Sequence, residues 1–208
     1  MIIGVPTEIQ PNENRVAIAP SGVVALVRKG HTVLIEKNAG LGSSFSNEDY
    51  EKCGAEIVAT PKELYSRSKL ILKVKAPQLS EYNLLKKEQI LMAYLHLVAE
   101  SELTKALQKN KITAIAFETI QKPDGSLPVL RPMSEIAGKM SVQIGAQFLE
   151  NYYGGKGLLL GGVPGTRPGK VTIIGAGNVG KNAAQVAAGY GCEVSVLDIN
   201  IDRLRYIN

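Results

Sequence analysis

Tryptophan is absent from the 208 residues, and there are only three phenylalanines and two cysteines. Cys53 and Cys192 lie far apart and share no metal-type spacing, which argues against a disulfide framework and for a reducing, cytoplasmic setting. No apolar run approaches the ~20 residues a membrane helix needs. The opening MIIGVPTEIQ lacks a positive segment followed by an apolar one, so no secretory signal is visible. Lys and Arg outnumber Asp and Glu by 24 to 19, giving a formal charge of +5. That excess suits small anionic ligands. It is not gathered into the basic block that follows a nucleic-acid backbone, so neither nucleic acid nor membrane is expected as a partner. With 45% hydrophobic and 21% charged residues, the chain has ordinary globular composition and wholesale disorder is excluded.

Up to residue 117 the sequence repeats one rhythm, a short β-branched run followed by a helical pattern. Ile2, Ile3 and Val5 open a strand, and residues 21–29 read as a helix closed by Gly30. Residues 32–36 form the next strand. Ser46 caps a short helix with Asp49 three residues on, and Gly54 stops it. Thr60, Pro61 and Glu63 make a helix start, with Glu63 placed for a reciprocal capping bond. Residues 70–74, 90–95 and 112–117 read as strands, with helical stretches at 80–87 and 101–109. Strands alternating with helices imply right-handed βαβ crossovers and a largely parallel sheet.

Residues 121–132, with Pro123, Asp124 and Gly125, read as a turn-rich connector, which sets two domains at 1–128 and 129–208. A long helix follows over 133–150. Met133, Ile136, Ala137, Met140, Ile144 and Phe148 keep to one face of it, the mark of a packing face between domains or subunits. Residues 154–169 are a glycine-rich loop.

Residues 170–174 form a buried-strand pattern, followed directly by Gly175-Ala176-Gly177-Asn178-Val179-Gly180. A helix pattern over 178–189 and a strand over 193–197 ending in Asp198 complete the unit. A lone GxGxxG is weak, but a strand before it, a helix after it and an acid at the next strand end make it a dinucleotide fingerprint. Gly175 permits the tight turn, Gly177 lets backbone approach a pyrophosphate, and Gly180 lets helix and strand pack closely. The helix N-terminus offers N–H groups and partial positive charge. Asp198 would accept bonds from the adenosine ribose and repel a 2′-phosphate, which favours NAD over NADP.

Ligands of open parallel sheets bind beyond the carboxyl ends of the strands. Reading off those ends gives Lys75, His96 and Glu118, with Arg15 in the loop after the first strand. Three of the four can carry positive charge and would attract a small carboxylate. Each also has an ordinary reading. Taken alone, Arg15 reads first as a solvated loop charge and His96 as a satisfied core histidine. Lys75 shares a strand face with Lys73, so one of the two can be a surface residue, and Glu118 can pair with a neighbouring base.

Taken together, IIGVPTEIQPNENRVAIAP, NAGLGSSFSNEDY, LILKVKAP, YLHL, DGSLPVLRPMSEIAGKMSVQIGAQFLE, GGKGLLLGGVPG and VTIIGAGNVGKNAA closely resemble the N-terminal part of bacterial alanine dehydrogenases. The resemblance runs from Met1 to Asn208. It implies an α/β fold, with a parallel-sheet βαβ N-terminal catalytic domain followed by a partial Rossmann NAD-binding domain. It also implies reversible oxidative deamination of L-alanine to pyruvate and ammonium with NAD. Carried over residue by residue, Arg15 holds the substrate carboxylate, Lys75 contacts its carboxylate or carbonyl end, and His96 is the acid/base. Ser134 approaches the cofactor, and Asn178, Val179, Asp198 and Arg203 line it. Glu118 resembles a position proposed for a divalent ion in some relatives, although no metal site is assigned.

The departure from the family is length. A Rossmann domain needs roughly six strands, and two strands with one helix cannot bury their own apolar surface. The expectation is a C-terminally truncated chain with impaired turnover, and the family implies a hexamer to which the long helix contributes. Two rival readings stay open: an inactive fragment serving as a binding or assembly module, and a transhydrogenase-like subunit, against which the residues around His96 argue.

Overall fold

The computed structural model describes residues 1–207. The chain divides into two compact units, Met1–Gln121 and Lys122–Asn208, a division at the start of the turn-rich connector.

The first unit runs β1 (Ile2–Val5), α1 (Pro20–Arg28), β2 (Thr32–Glu36), α2 (Asn47–Lys52), β3 (Glu56–Val58), α3 (Pro61–Arg67), β4 (Leu70–Lys75), β5 (Ile90–Tyr94), α4 (Ser101–Lys109) and β6 (Thr113–Ala116). Its six strands are all parallel, in the order β3-β2-β1-β4-β5-β6. That is the strand order of doubly wound dinucleotide folds, and the direction of winding reverses between β1 and β4. Near-continuous apolar strands such as Val33-Leu34-Ile35 are buried on both faces, as parallel sheets require. Val5, Val33, Ile35, Val23 and Tyr50 form the core on one side, and Leu34, Leu64, Tyr65, Leu91 and Leu103 that on the other.

Local signals set most helix starts. Ser46 and Asp49 form the expected reciprocal capping box. At Thr60 only half of the expected box forms. The hydroxyl accepts from Glu63 N–H, but the Glu63 carboxylate turns to Arg67 at 3.0 Å, because a cation one turn away outcompetes a backbone donor. The helix expected over 80–87 is a 3-10 turn, Leu79–Leu84. Its Glu81 is drawn into the core by Lys73 and the Tyr65 hydroxyl, which ties the segment down before an α-helix can propagate.

The second unit holds α5 (Arg131–Phe148), β7 (Lys170–Ile174), α6 (Asn178–Gly189), β8 (Glu193–Leu197) and α7 (Ile201–Ile207). β7 and β8 pair in parallel as a two-stranded sheet. Most of the apolar stripe of α5, read from the sequence as a face for packing between domains or subunits, is not covered within the second unit. Ile136, Met140, Ile144 and Phe148 are exposed, while Gly138 and Val142 are the buried positions. A Cβ at Gly138 would collide with the Val179 carbonyl of α6, so a small residue decides which face of α5 can approach its neighbour.

Candidate functional site

The loop between β1 and α1 is held at several points. Thr7 N–H donates to Glu36 at the end of β2 at 2.9 Å. Glu8 accepts from Val74 N–H at 2.6 Å, extending the β1–β4 junction past its last strand pair, Gly4 with Ile71. Tyr50 donates to the Ile18 carbonyl and Ser43 to that of Asn14. Arg15 therefore projects from an anchored loop. It is no free solvated charge: its guanidinium grips Glu13 in two bonds, 2.7 and 2.6 Å. This pairing pulls the Glu13 carboxyl below its ordinary value and raises the guanidinium's.

The two lysines of β4 have opposite fates. Lys73 is fully buried, with its ammonium 3.2 Å from Glu8 and 2.9 Å from Glu81. The register with β5 shifts between Leu72 and Lys75, and Lys75 lines a cavity of about 310 Å³ together with Gln10, Tyr82, Tyr94, His96 and Glu100. Burial outweighs the Lys73 charge at Glu8 and leaves that carboxyl raised. This buried Glu8–Lys73–Glu81 group is the feature the sequence reading missed. The alternation of β4 alone placed Lys73 and Lys75 on one face, and only the distant acids in sequence, Glu8 and Glu81, hinted at an internal partner.

His96 follows β5 in the left-handed region, φ +48°. Its ring is 60% exposed, which excludes a satisfied core histidine, and it stacks on Tyr94 with centroids 6.5 Å apart. Tyr94 links the groups: burial raises its hydroxyl, the charge of Arg15 opposes that, and Glu118 adds to it. Lys75 and His96 thus share one cavity. Arg15 does not line it but acts electrostatically on Tyr94, which does. The Glu118 carboxylate accepts from the N–H groups of Leu95 and His96, with the His96 ring Nδ1 4.0 Å from it.

In the second unit, Gly175 has φ +104°, and a Cβ on Gly180 would collide with the Gly175 carbonyl. A Cβ on Gly177 would meet only open space. α6 begins at Asn178, Val179 and Gly180 with no side-chain cap, leaving its first turn available to an anion. Asp198 accepts from Ala176 N–H at 2.6 Å and Asn200 N–H at 2.7 Å, which hold its carboxyl below its ordinary value. Arg203 stands 3.8 Å from it. Gly175, Asp198 and Arg203 line one open groove of about 430 Å³. Ser134, on the first turn of α5, lies outside that groove and directs its hydroxyl to the Leu130 carbonyl.

The model for the N-terminal domain of alanine dehydrogenase/PNT matches residues 4–137, and that for the C-terminal domain matches 141–208. The chain belongs to the alanine dehydrogenase/PNT family. Over its whole length it is 58% identical to the alanine dehydrogenase of Methanococcus maripaludis and 55% identical to that of Bacillus subtilis, spanning 56% and 54% of those proteins. The chain thus spans about half the length of the curated relatives it matches. Among solved structures, an L-alanine dehydrogenase matches all of this chain with a TM-score of 0.95 and 52% identity, over 57% of that protein. The transhydrogenase from Sinorhizobium meliloti matches all of it at 0.83 and 26%, over 60% of that chain. The α/β architecture expected of this family is the one observed. Among the described residues, no helix is long and apolar enough to cross a membrane.

Proposed function

We propose that this chain supplies the substrate groups and the dinucleotide cradle of an NAD-dependent alanine dehydrogenase, which interconverts L-alanine and water with pyruvate and ammonium. The observation that carries the reading is the common cavity of Lys75 and His96 at the carboxyl edge of the parallel sheet, with Arg15 on the adjoining anchored loop. A bound nicotinamide dinucleotide, held by the glycine turn at residues 175–180, would supply the hydride acceptor for the substrate Cα. The remaining tasks belong to this chain's residues.

Arg15 and Lys75 hold the α-carboxylate, where paired cations act as charge-assisted donors. Engaging Arg15 requires the substrate carboxylate to share or replace the bonds Glu13 makes. His96 serves proton transfer at the amine and at the attacking water during deamination, and the same transfers run backwards in the reverse reaction. The glycine turn fits a dinucleotide, since its open backbone at Gly177 and the uncapped start of α6 are what a pyrophosphate needs. Asn178 and Val179 would flank it, Asp198 and Arg203 would meet the adenosine ribose, and Ser134 would approach the nicotinamide side.

The cofactor is NAD rather than NADP, the assembly a homo-hexamer using the exposed stripe of α5, and the setting cytoplasmic. No metal takes part, and neither nucleic acid nor membrane is a partner. The 208-residue chain by itself turns over alanine poorly, because β8 has a neighbour on only one side and Ile174, Leu197 and Ile199 stand exposed.

The test is calorimetric titration of the chain with NADH and with pyruvate, alongside alanine-dependent NADH formation. Binding of both ligands is expected, with pyruvate affinity lost in Arg15→Ala. A chain that binds neither overturns the reading.

A further inference from the structure

The β5–β6 ladder ends at the pair Ala93 and Ala116. Beyond it, Glu118 reaches back from the 3-10 turn Phe117–Thr119. Its Oε1 accepts His96 N–H at 2.7 Å, and Leu95 N–H approaches both oxygens at 3.2 and 3.3 Å. Two successive amides converging on one anion form a nest, a motif built by backbone that departs from the extended conformation. His96 occupies the left-handed region at φ +48°, a state that costs a residue with a Cβ of order 1–3 kcal/mol and persists only where its surroundings enforce it. The carboxylate is mostly shielded, at 17% exposure, whereas the imidazole is 60% exposed with Nδ1 4.0 Å from Oε1. Backbone and ring are thus treated differently: one is clamped and the other is left facing the cavity.

We propose that Glu118 is the positioning residue for His96, its carboxylate clamping the amides of Leu95 and His96 and so fixing the left-handed turn that presents the imidazole. This deepens the functional reading above, on which only the imidazole's task depends. It also gives the Glu118 carboxylate a role other than metal binding. Among the described residues no group of three or more His, Cys, Asp or Glu could hold a metal ion.

The experiment is NMR of the 208-residue chain and its Glu118→Ala and Glu118→Gln variants. Only two histidines are present, so His31, beside the N-terminal amine, is an internal control. In Glu118→Ala, amide exchange at Leu95 and His96 is expected to accelerate about tenfold or more, the loss of a hydrogen bond to a charged acceptor. The His96 HN–Hα coupling and ring resonances move, while His31 and the amides of β5 do not. Glu118→Gln, which keeps one acceptor oxygen, restores part of the protection. Unchanged exchange and coupling at His96 in Glu118→Ala would overturn the proposal, as would saturable displacement of these amides by added Mg²⁺. If Glu118→Ala does not fold, Glu118→Gln is compared with the parent: faster exchange at His96 supports the clamp, and parental exchange overturns it. Failure of the chain to bind either NADH or pyruvate sinks the functional reading and leaves these amide rates untouched.

Discussion

The ammonium of Lys73 lies 2.9 Å from the carboxylate of Glu81, inside a core where the Lys73 side chain is 1% exposed. Tyr65 donates to the same Glu81 oxygen at 2.8 Å, and burial pushes that phenol far above its ordinary value. Glu8 completes the group and carries it to Val74 N–H, one residue before Lys75. A buried ionic group thus lies directly behind the edge that bears Lys75 and His96.

Removing the cation should be severe. Lys73→Ala leaves two buried carboxylates uncompensated, and a loss of about 3–5 kcal/mol is expected. Urea unfolding of Lys73→Ala against the parent measures it. Lys73→Met combined with Glu81→Gln should recover part of the loss, because it removes one carboxylate charge. A cost under about 1 kcal/mol for Lys73→Ala would mean that the ions are effectively solvated.

The pair of Arg15 and Glu13 predicts an acid-side dependence. The Glu13 carboxyl is held below its ordinary 4.5, first by the hydrogen bond from Arg15. A depressed carboxyl contributes stability that is present above about 4.5 and is lost as pH falls through the lower folded value. Urea midpoints between pH 6 and 3 should therefore drop less steeply in Arg15→Ala than in the parent. Parallel curves would contradict the pairing.

Gly180→Ala should damage both packing and ligand binding. The new methyl meets the Gly175 carbonyl inside contact distance, and overpacking of this kind costs about 1–3 kcal/mol. Thermal unfolding together with NADH titration should show a lower Tm and markedly weaker binding. Gly177→Ala, which meets no atom within 4 Å, should keep the fold and lose affinity only because its methyl points where a pyrophosphate would approach.

Asp198→Asn tests cofactor choice. It keeps an acceptor for only one of the Ala176 and Asn200 amides, which bond different oxygens of Asp198, and it removes the charge proposed to repel a 2′-phosphate. The ratio of NADH to NADPH affinity, read by fluorescence titration, should fall about tenfold, equivalent to ~1.4 kcal/mol. An unchanged ratio would place selectivity elsewhere.

Ser46→Ala should cost about 1 kcal/mol by removing half of the reciprocal cap on α2. Denaturant unfolding measures it, and Ser46→Asp should restore most of the loss.

Much of the first unit was legible because its signals are local. β1 and β2 begin and end where their β-branched runs do, and the Ser46–Asp49 cap needs only three residues of spacing. The glycine fingerprint was equally readable, since one strand, one turn and one helix fix it. Lys75 and His96 were legible as strand-end residues, but their sharing of a cavity was not. That depends on β4 and β5 being neighbours and on the register shift after Leu72. What covers the apolar stripe of α5 was not legible, because periodicity marks an apolar face without saying what packs on it.

Sequence alone determined where most strands and helices form, the alternation that makes the sheet parallel, and the glycine turn after β7. These follow from propensity, capping and φ, all properties of a few neighbouring residues. Tertiary structure decided the strand order that reverses its winding between β1 and β4, the burial of Lys73 while Lys75 lines the cavity, and the grip of Glu118 on the His96 turn. Each of these joins groups at least 22 residues apart or places a side chain by packing, and such pairings arise only when the sheet assembles and water leaves its faces.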